Sequence, residues 1–340
     1  MKCKMGCVLL INNIKRERVF MYRRGYEKIQ KQKLYKNVMV GAIVASLSLQ
    51  GVSTNASSIN DSLESDNKTI IQKFTSFMNN IIYKTENILK GNIVNVPDAN
   101  LKKLLNAALY HEEDEDIMKS DLANIKWLSN IGPEPTLAET NITNLEGIQY
   151  CVNLENLLID VSNIKNLKPM FEIPSLKWIM FDEVKNEQLK GIDSLKNLEN
   201  FNCEKLDSLE EISKVENLKT LICVNGKIKD IKPLVKLKKL EALWLIDNEI
   251  EDISSLENLK QLHALGLQDN NVKDIRALTN LKNIQLLNLD NNNITDISSL
   301  SNMEKLAELH LNENDIKDIT PLDNLPNLKW LFINNNEIYM

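Results

Sequence analysis

The chain is short of the residues on which most enzymes and nucleic-acid binders rely. Its only histidines are His111, His263 and His310. They are far apart, and none has a Ser or Cys nucleophile placed beside it, so no nucleophile–base pair is in prospect. Ten glycines in 340 residues, with no Gly-rich run, leave nothing to cradle a phosphate. The five cysteines, Cys3, Cys7, Cys151, Cys203 and Cys223, form no CxxC pair and have no His at ligand spacing. That excludes a zinc knuckle or a thioredoxin-like site. No catalytic residue, metal or cofactor is therefore expected.

Basic charge is scarce beyond the N-terminus. The formal charge is -6, but residues 1–36 hold eleven Lys/Arg against Glu17 and Glu27, so the remainder carries about -15 by difference. Nucleic acids and anionic membranes are met through Lys and Arg, so both are excluded as partners of such a surface. Basic or neutral protein surfaces are the expected partners.

Residues 1–56 read as a leader. Lys28, Lys31, Lys33 and Lys36 precede the apolar run Val38 to Val52, and Ser53-Thr54-Asn55-Ala56 gives a small-residue exit. This is the layout of a secretory signal peptide, with Met21 as the expected start and cleavage expected after Ala56. Ser48 and Gln50 interrupt the run and make it short for a membrane span. An uncleaved N-terminal anchor is the competing reading, and the one route to a membrane. Residues 57–92 comprise a polar lead-in and then apolar residues at helical spacing, Ile70, Phe74, Phe77, Met78, Ile81 and Ile82 among them, which predict an amphipathic helix.

What is abundant is a period. Leu or Ile stands at 218, 240, 262, 284, 306 and 328, each step being 22 residues. The unit from Leu240 runs Leu243, Leu245, Asn248, Ile250, Ile253, Leu256 and Leu259, and the same frame recurs from Leu262. This is the leucine-rich-repeat pattern, one short strand and one tight return per turn. The predicted fold is an α/β solenoid. It is a leucine-rich-repeat horseshoe with a parallel concave sheet, a convex side of 3₁₀ or extended turns, and a small helical cap over 93–130. The repeats are placed at 131–340, about nine, with frames from Leu154 and a degenerate lead-in through Leu137, Ile142 and Leu145. Asn248, Asn270, Asn292, Asn314 and Asn336 predict a stacked amide ladder, whereas Ser162, Val184, Leu206 and Gly226 take its place in earlier frames. Cys203 and Cys223 occupy one frame position on successive strands, which leaves a disulfide or two small buried hydrophobes as alternatives. The last frame stops at Met340 before its return segment, so either truncation of a longer chain or self-association through an open last strand is expected.

In the cap, Asp98 is placed to start a helix burying Leu101, Leu104, Leu105 and Leu109, and a second helix is expected to open at Ser120-Asp121. Between them, the acidic run Glu112 to Asp116 lacks the Asp/Asn/Gly alternation of a calcium loop and reads as a solvated turn.

The segment Val96-Pro97-Asp98-Ala99-Asn100-Leu101, the pairs Ser120-Asp121-Leu122 and Asn144-Leu145-Glu146-Gly147-Ile148, and the repeated Asp252-Ile253, Asp274-Ile275, Asp296-Ile297 and Asp318-Ile319 resemble the internalin type of bacterial leucine-rich-repeat protein. The likeness covers about residues 93–340. It implies a secreted or cell-surface protein that binds a protein or peptide, of host or cell-wall origin, on its concave sheet. The sorting motif, membrane tail and wall-binding module of the surface members have no counterpart in these residues. An intracellular scaffold of the phosphatase-binding type, whose units look similar, is the alternative.

Residues two, four, six and seven into each frame should face the concave groove or its rim. That register makes Trp178, Met180, Asp182, Ile222, Val224, Trp244, Ile246, Asp247, Trp330 and Phe332 the candidate partner-binding residues. Exposed tryptophans are common interface anchors. Acidic neighbours, Asp160, Glu183, Glu204 and Asp269 with Asp182 and Asp247, would steer a basic partner.

Overall fold

A leucine every second or third residue is too short a signal for a long element, and the strands it builds are correspondingly brief. The computed structural model describes residues 92–130 and 141–339. The leader, the amphipathic segment over 70–89 and Leu137 lie outside the described residues. Among the described residues, ten parallel strands follow one another in chain order in a single sheet. They are β1 (Trp127–Ser129), β2 (Asn156–Ile159), β3 (Trp178–Glu183), β4 (Asn200–Glu204), β5 (Thr220–Val224), β6 (Ala242–Trp244), β7 (Ala264–Gly266), β8 (Leu286–Asn288), β9 (Glu308–His310) and β10 (Trp330–Phe332). Short 3₁₀ segments return the chain between most of them, with one α-helical turn at Lys168–Phe171. The architecture is the leucine-rich-repeat horseshoe that the period predicts.

Alternation along each strand sorts its side chains. Leu243, Leu245, Leu265, Leu267, Leu287, Leu289, Leu309 and Leu311 have no solvent exposure, and the residues between them lie on the opposite, concave face. Burying each such leucine contributes about 1.5–3 kcal/mol before entropy is counted.

The repeated Asp-Ile pair has a local cause. The carboxylates of Asp230, Asp252, Asp274, Asp296 and Asp318 each accept the backbone N–H two residues on, which opens the 3₁₀ turn, while Ile253, Ile275 and Ile297 plug the core beneath. The Arg276 side chain, and after it the Arg276 N–H, hold the Asp274 carboxyl down to about 2.

The asparagine ladder is formed as the sequence predicts. Asn270 Oδ1 accepts from Ile250 N at 3.0 Å, and its Nδ2 donates to Leu245 O at 2.8 Å in the preceding turn and to Leu267 O and Gln268 O in its own. Asn248, Asn292, Asn314 and Asn336 repeat the bond to the turn before. Where the ladder begins, the Gly226 backbone is pressed between Leu206 O and Asn248 Oδ1, and any side chain there would collide with both.

The sheet starts earlier than the first complete frame. Leu128, assigned by its spacing to the cap, is a buried strand residue, and Trp127 pairs in register with Asn156. Before β1 lie helices α1 (Ala99–Leu109) and α2 (Lys119–Leu122), the latter opening from Met118, slightly before Ser120. Asp98 joins cap to repeats. One carboxylate oxygen accepts from Asn100 N and Leu101 N, and the other from Thr143 N, Thr143 Oγ1 and Asn144 N. Burial pushes this carboxyl up, but the donors from Thr143, Leu101 and Asn144 together hold it below the usual carboxylate range. In the acidic run, Glu113 and Asp116 pair with Lys103 and Lys102, and Asn106 Nδ2 donates to the carbonyls of Glu113 and Glu115.

Cys203 and Cys223 face each other in register on β4 and β5, with their sulfurs 3.4 Å apart as buried free thiols. Burial, and after it the neighbouring Cys223, push the Cys203 thiol up, and burial pushes Cys151 up to about 12. Of the two readings left open by the sequence, the structure has the pair of small buried hydrophobes.

Candidate functional site

The concave face divides into three zones along the sheet. At the β1–β3 end, Trp127 and Trp178 stand on either side of Asn156 in the same register row. Their rings meet edge-on with centroids 5.5 Å apart. Met180 lies half-buried on the same face. A bulge after Phe181 inserts Asp182 as an extra residue, so Glu183 and not Asp182 pairs with Glu204. Partial burial, and then the charges of Asp160 and Glu204, push the Asp182 carboxyl up.

The middle zone is apolar. Ile222 and Trp244 are register partners on β5 and β6, with Val224 and Ile246 two residues further along, and all four are half-buried on the concave side. Trp244 is seated on the next strand. A Cβ on Gly266 would collide with Trp244 Cε3 and stand 2.6 Å from Cζ3, so the indole edge fills the space left by a missing side chain. The rim beyond is built by residues in the left-handed region, among them Lys205, Asn225, Asp247, Asp269 and Asn291, with φ between 52° and 59°. Asp and Asn adopt that conformation most readily, which places Asp247 and Asp269 as exposed carboxylates along the groove.

The third zone is polar. His310 stacks on Phe332 at 4.4 Å, its Nε2 lies 2.7 Å from Glu308 Oε1, and its Nδ1 lies 3.7 Å from Asp290 Oδ2. Burial pushes the Asp290 carboxyl up, against the bond it accepts from Asn312 N. Trp330 and Phe332 stand on the edge strand, where the inward-facing Leu331 is exposed as well.

One expectation needs correction. Trp178 and Trp244 are not bare: one leans on Trp127 and the other sits in the gap over Gly266, so both are half-buried. Trp330 alone among the candidate tryptophans is exposed, at 55%. The ten candidates fall into groups along the sheet. Ile222, Val224, Trp244 and Ile246 are contiguous, Trp178, Met180 and Asp182 belong to β3, and Trp330 and Phe332 lie four strands beyond Trp244.

The structure also adds three residues that the frame did not single out. Trp127 Nε1, Asn202 Oδ1 and Gln268 Oε1 are buried without a hydrogen-bond partner, and all three sit at outward-facing positions of the sheet. Among the described residues, no group of His, Cys, Asp or Glu is arranged to hold a metal ion. No helix among them is long and apolar enough to cross a membrane.

The family model for leucine-rich repeats in two copies matches residues 216–258, which span β5 and β6 with their return segments. The chain carries leucine-rich repeats. No curated protein matches this leucine-rich-repeat chain. Among solved structures it is similar to internalin C2 from Listeria monocytogenes, with 28% identity over 70% of this chain and 93% of that one and a TM-score of 0.49. It is also similar to an internalin (inlF) from Listeria monocytogenes, with 22% identity over 72% and 91% and a TM-score of 0.48. A plant peptide hormone receptor, RGFR1 in complex with RGF2, is similar at 19% identity over 56% and 33%, with a TM-score of 0.47.

Proposed function

We propose that this is a secreted or cell-surface leucine-rich-repeat scaffold, not an enzyme, and that it binds a protein or peptide, of host or cell-wall origin, on its concave sheet. The observation that carries the reading is the apolar band of Ile222, Val224, Trp244 and Ile246, held on the solvent side of a sheet whose inward face is already filled. Fold stability does not require large apolar groups on that face, where the neighbouring Asn288 and His310 serve the same register position. Trp178, Met180 and Asp182 extend the surface on one side and Asp247 lines its rim. Trp330 and Phe332 mark the far end. The carboxylates around the band favour a partner with basic residues beside its apolar contact.

A paired substitution tests this. With the full chain as bait on extracellular and cell-surface proteins, Ile222→Lys should abolish specific capture, because it sets a charge in the middle of the band. Val235→Lys, at an exposed apolar residue on the 3₁₀ side, should leave capture intact. Capture lost with Val235→Lys and kept with Ile222→Lys would move the site to the convex side.

A further inference from the structure

Gln268 is an anomaly on the concave face. The residue is only 8% exposed, its Oε1 is buried without a partner, and no hydrogen bond holds the side chain. Elsewhere in the same row, Asp290 Oδ1 accepts Asn312 N and Asn312 Oδ1 accepts Asn334 N on the strand that follows. Gln268 has no such outlet, because the corresponding N–H, that of Asp290, is taken by Asn288 Oδ1. Its carbonyl oxygen instead turns back over Gly266, 3.0 Å from where a Cβ would stand and beside the Trp244 ring edge. A buried amide oxygen left unpaired carries the cost of its lost hydration, and a donor arriving from outside would recover it.

The surroundings say what kind of donor fits. The aromatic Trp244 lies on one side. Asp290 lies one strand beyond in the same row as Gln268, and Asp269 follows Gln268 at the rim. An aromatic ring, an unpaired carbonyl oxygen and two carboxylates suit a planar cation that stacks and donates several N–H bonds at once. We infer that Trp244, Gly266 and Gln268, with Asp269 and Asp290 beside them, form a seat for an arginine side chain of the bound partner. This rests on the concave-face reading above and names the chemistry of its central contact. Gly266 is part of the seat because any side chain there would displace the indole. Gln268, held by no bond, swings outward to meet the guanidinium at little cost.

The test uses a labelled octapeptide with one arginine beside two leucines, and its citrulline and lysine counterparts, titrated into the full chain by fluorescence anisotropy. The arginine peptide should bind about tenfold more tightly than the citrulline peptide, the size expected of a hydrogen bond to a charged group, and more tightly than the lysine peptide. Gln268→Leu should remove about that factor from the arginine peptide alone. Gln268→Glu, which keeps the shape and adds charge, should tighten it. Equal binding of the arginine and citrulline peptides, no binding of either, or indifference to both Gln268 variants would overturn the seat. Where the peptides bind without distinguishing arginine from citrulline and Ile222→Lys abolishes that binding, the concave-face reading stands without the seat. Where Ile222→Lys binds those peptides as tightly as wild type does, that reading falls too.

Discussion

Asn270→Leu should destabilise the chain by about 3–5 kcal/mol, the largest single effect expected in the repeats. The asparagine is 7% exposed and makes four hydrogen bonds, three to its own turn and the one before and one from Ile250 N. Leucine has the volume but none of the polarity, so Ile250 N–H and Leu245 C=O would stay buried and unpaired. Each such orphan costs about 1–3 kcal/mol. Whole domains are stable by only about 5–15 kcal/mol, and in a solenoid the loss falls on one junction between neighbouring turns. Urea unfolding should therefore show a lower midpoint and an early phase in which the array opens at that junction. Asn336→Leu, at a half-buried position by the last strand, should cost clearly less. A loss below about 1 kcal/mol for Asn270→Leu would mean that the ladder is incidental to stability.

Trp244→Ala should weaken binding of the partner at least about thirtyfold, near 2 kcal/mol, the range in which central aromatic anchors fall. The ring is preorganised: Gly266 leaves a seat for its edge, and Ile222, Val224 and Ile246 surround it, so little side-chain freedom is lost when a partner arrives. Trp330→Ala should do much less, since Trp330 lies exposed on the edge strand, four strands away. Surface plasmon resonance on both variants separates these outcomes, and circular dichroism checks that each stays folded. An equal loss for both would place the energetic centre elsewhere.

Much of this was legible in the residues because a solenoid turns sequence period directly into spatial register. A 22-residue step fixes which leucines point inward and puts the five asparagines in one column. The Asp-Ile pair marks the start of each return turn. What broke the period was hidden. Between Ile125 and Leu154 the step is 29 residues, so β1 escaped the frame, although Ile125, Leu128 and Asn130 carry its spacing. Trp127 went unnoticed for the same reason. Register also says which face a side chain takes, not what its neighbours leave open. Trp244 looked bare from its position alone. Its partial burial follows from the glycine one strand away, a pairing across strands that no local pattern displays. The orphaned oxygen of Gln268 is less legible still, for it depends on Asn288 Oδ1 claiming the backbone N–H of Asp290.

The central claim is that the concave face around Ile222 and Trp244 receives the partner. Hydroxyl-radical footprinting of the full chain, with and without its captured partner, tests that most directly. The account predicts that Met180, Ile222, Trp244 and Ile246 lose reactivity in the complex while Pro233 and Val235 on the 3₁₀ side keep theirs. Protection of Pro233 and Val235 with Trp244 unchanged would contradict it.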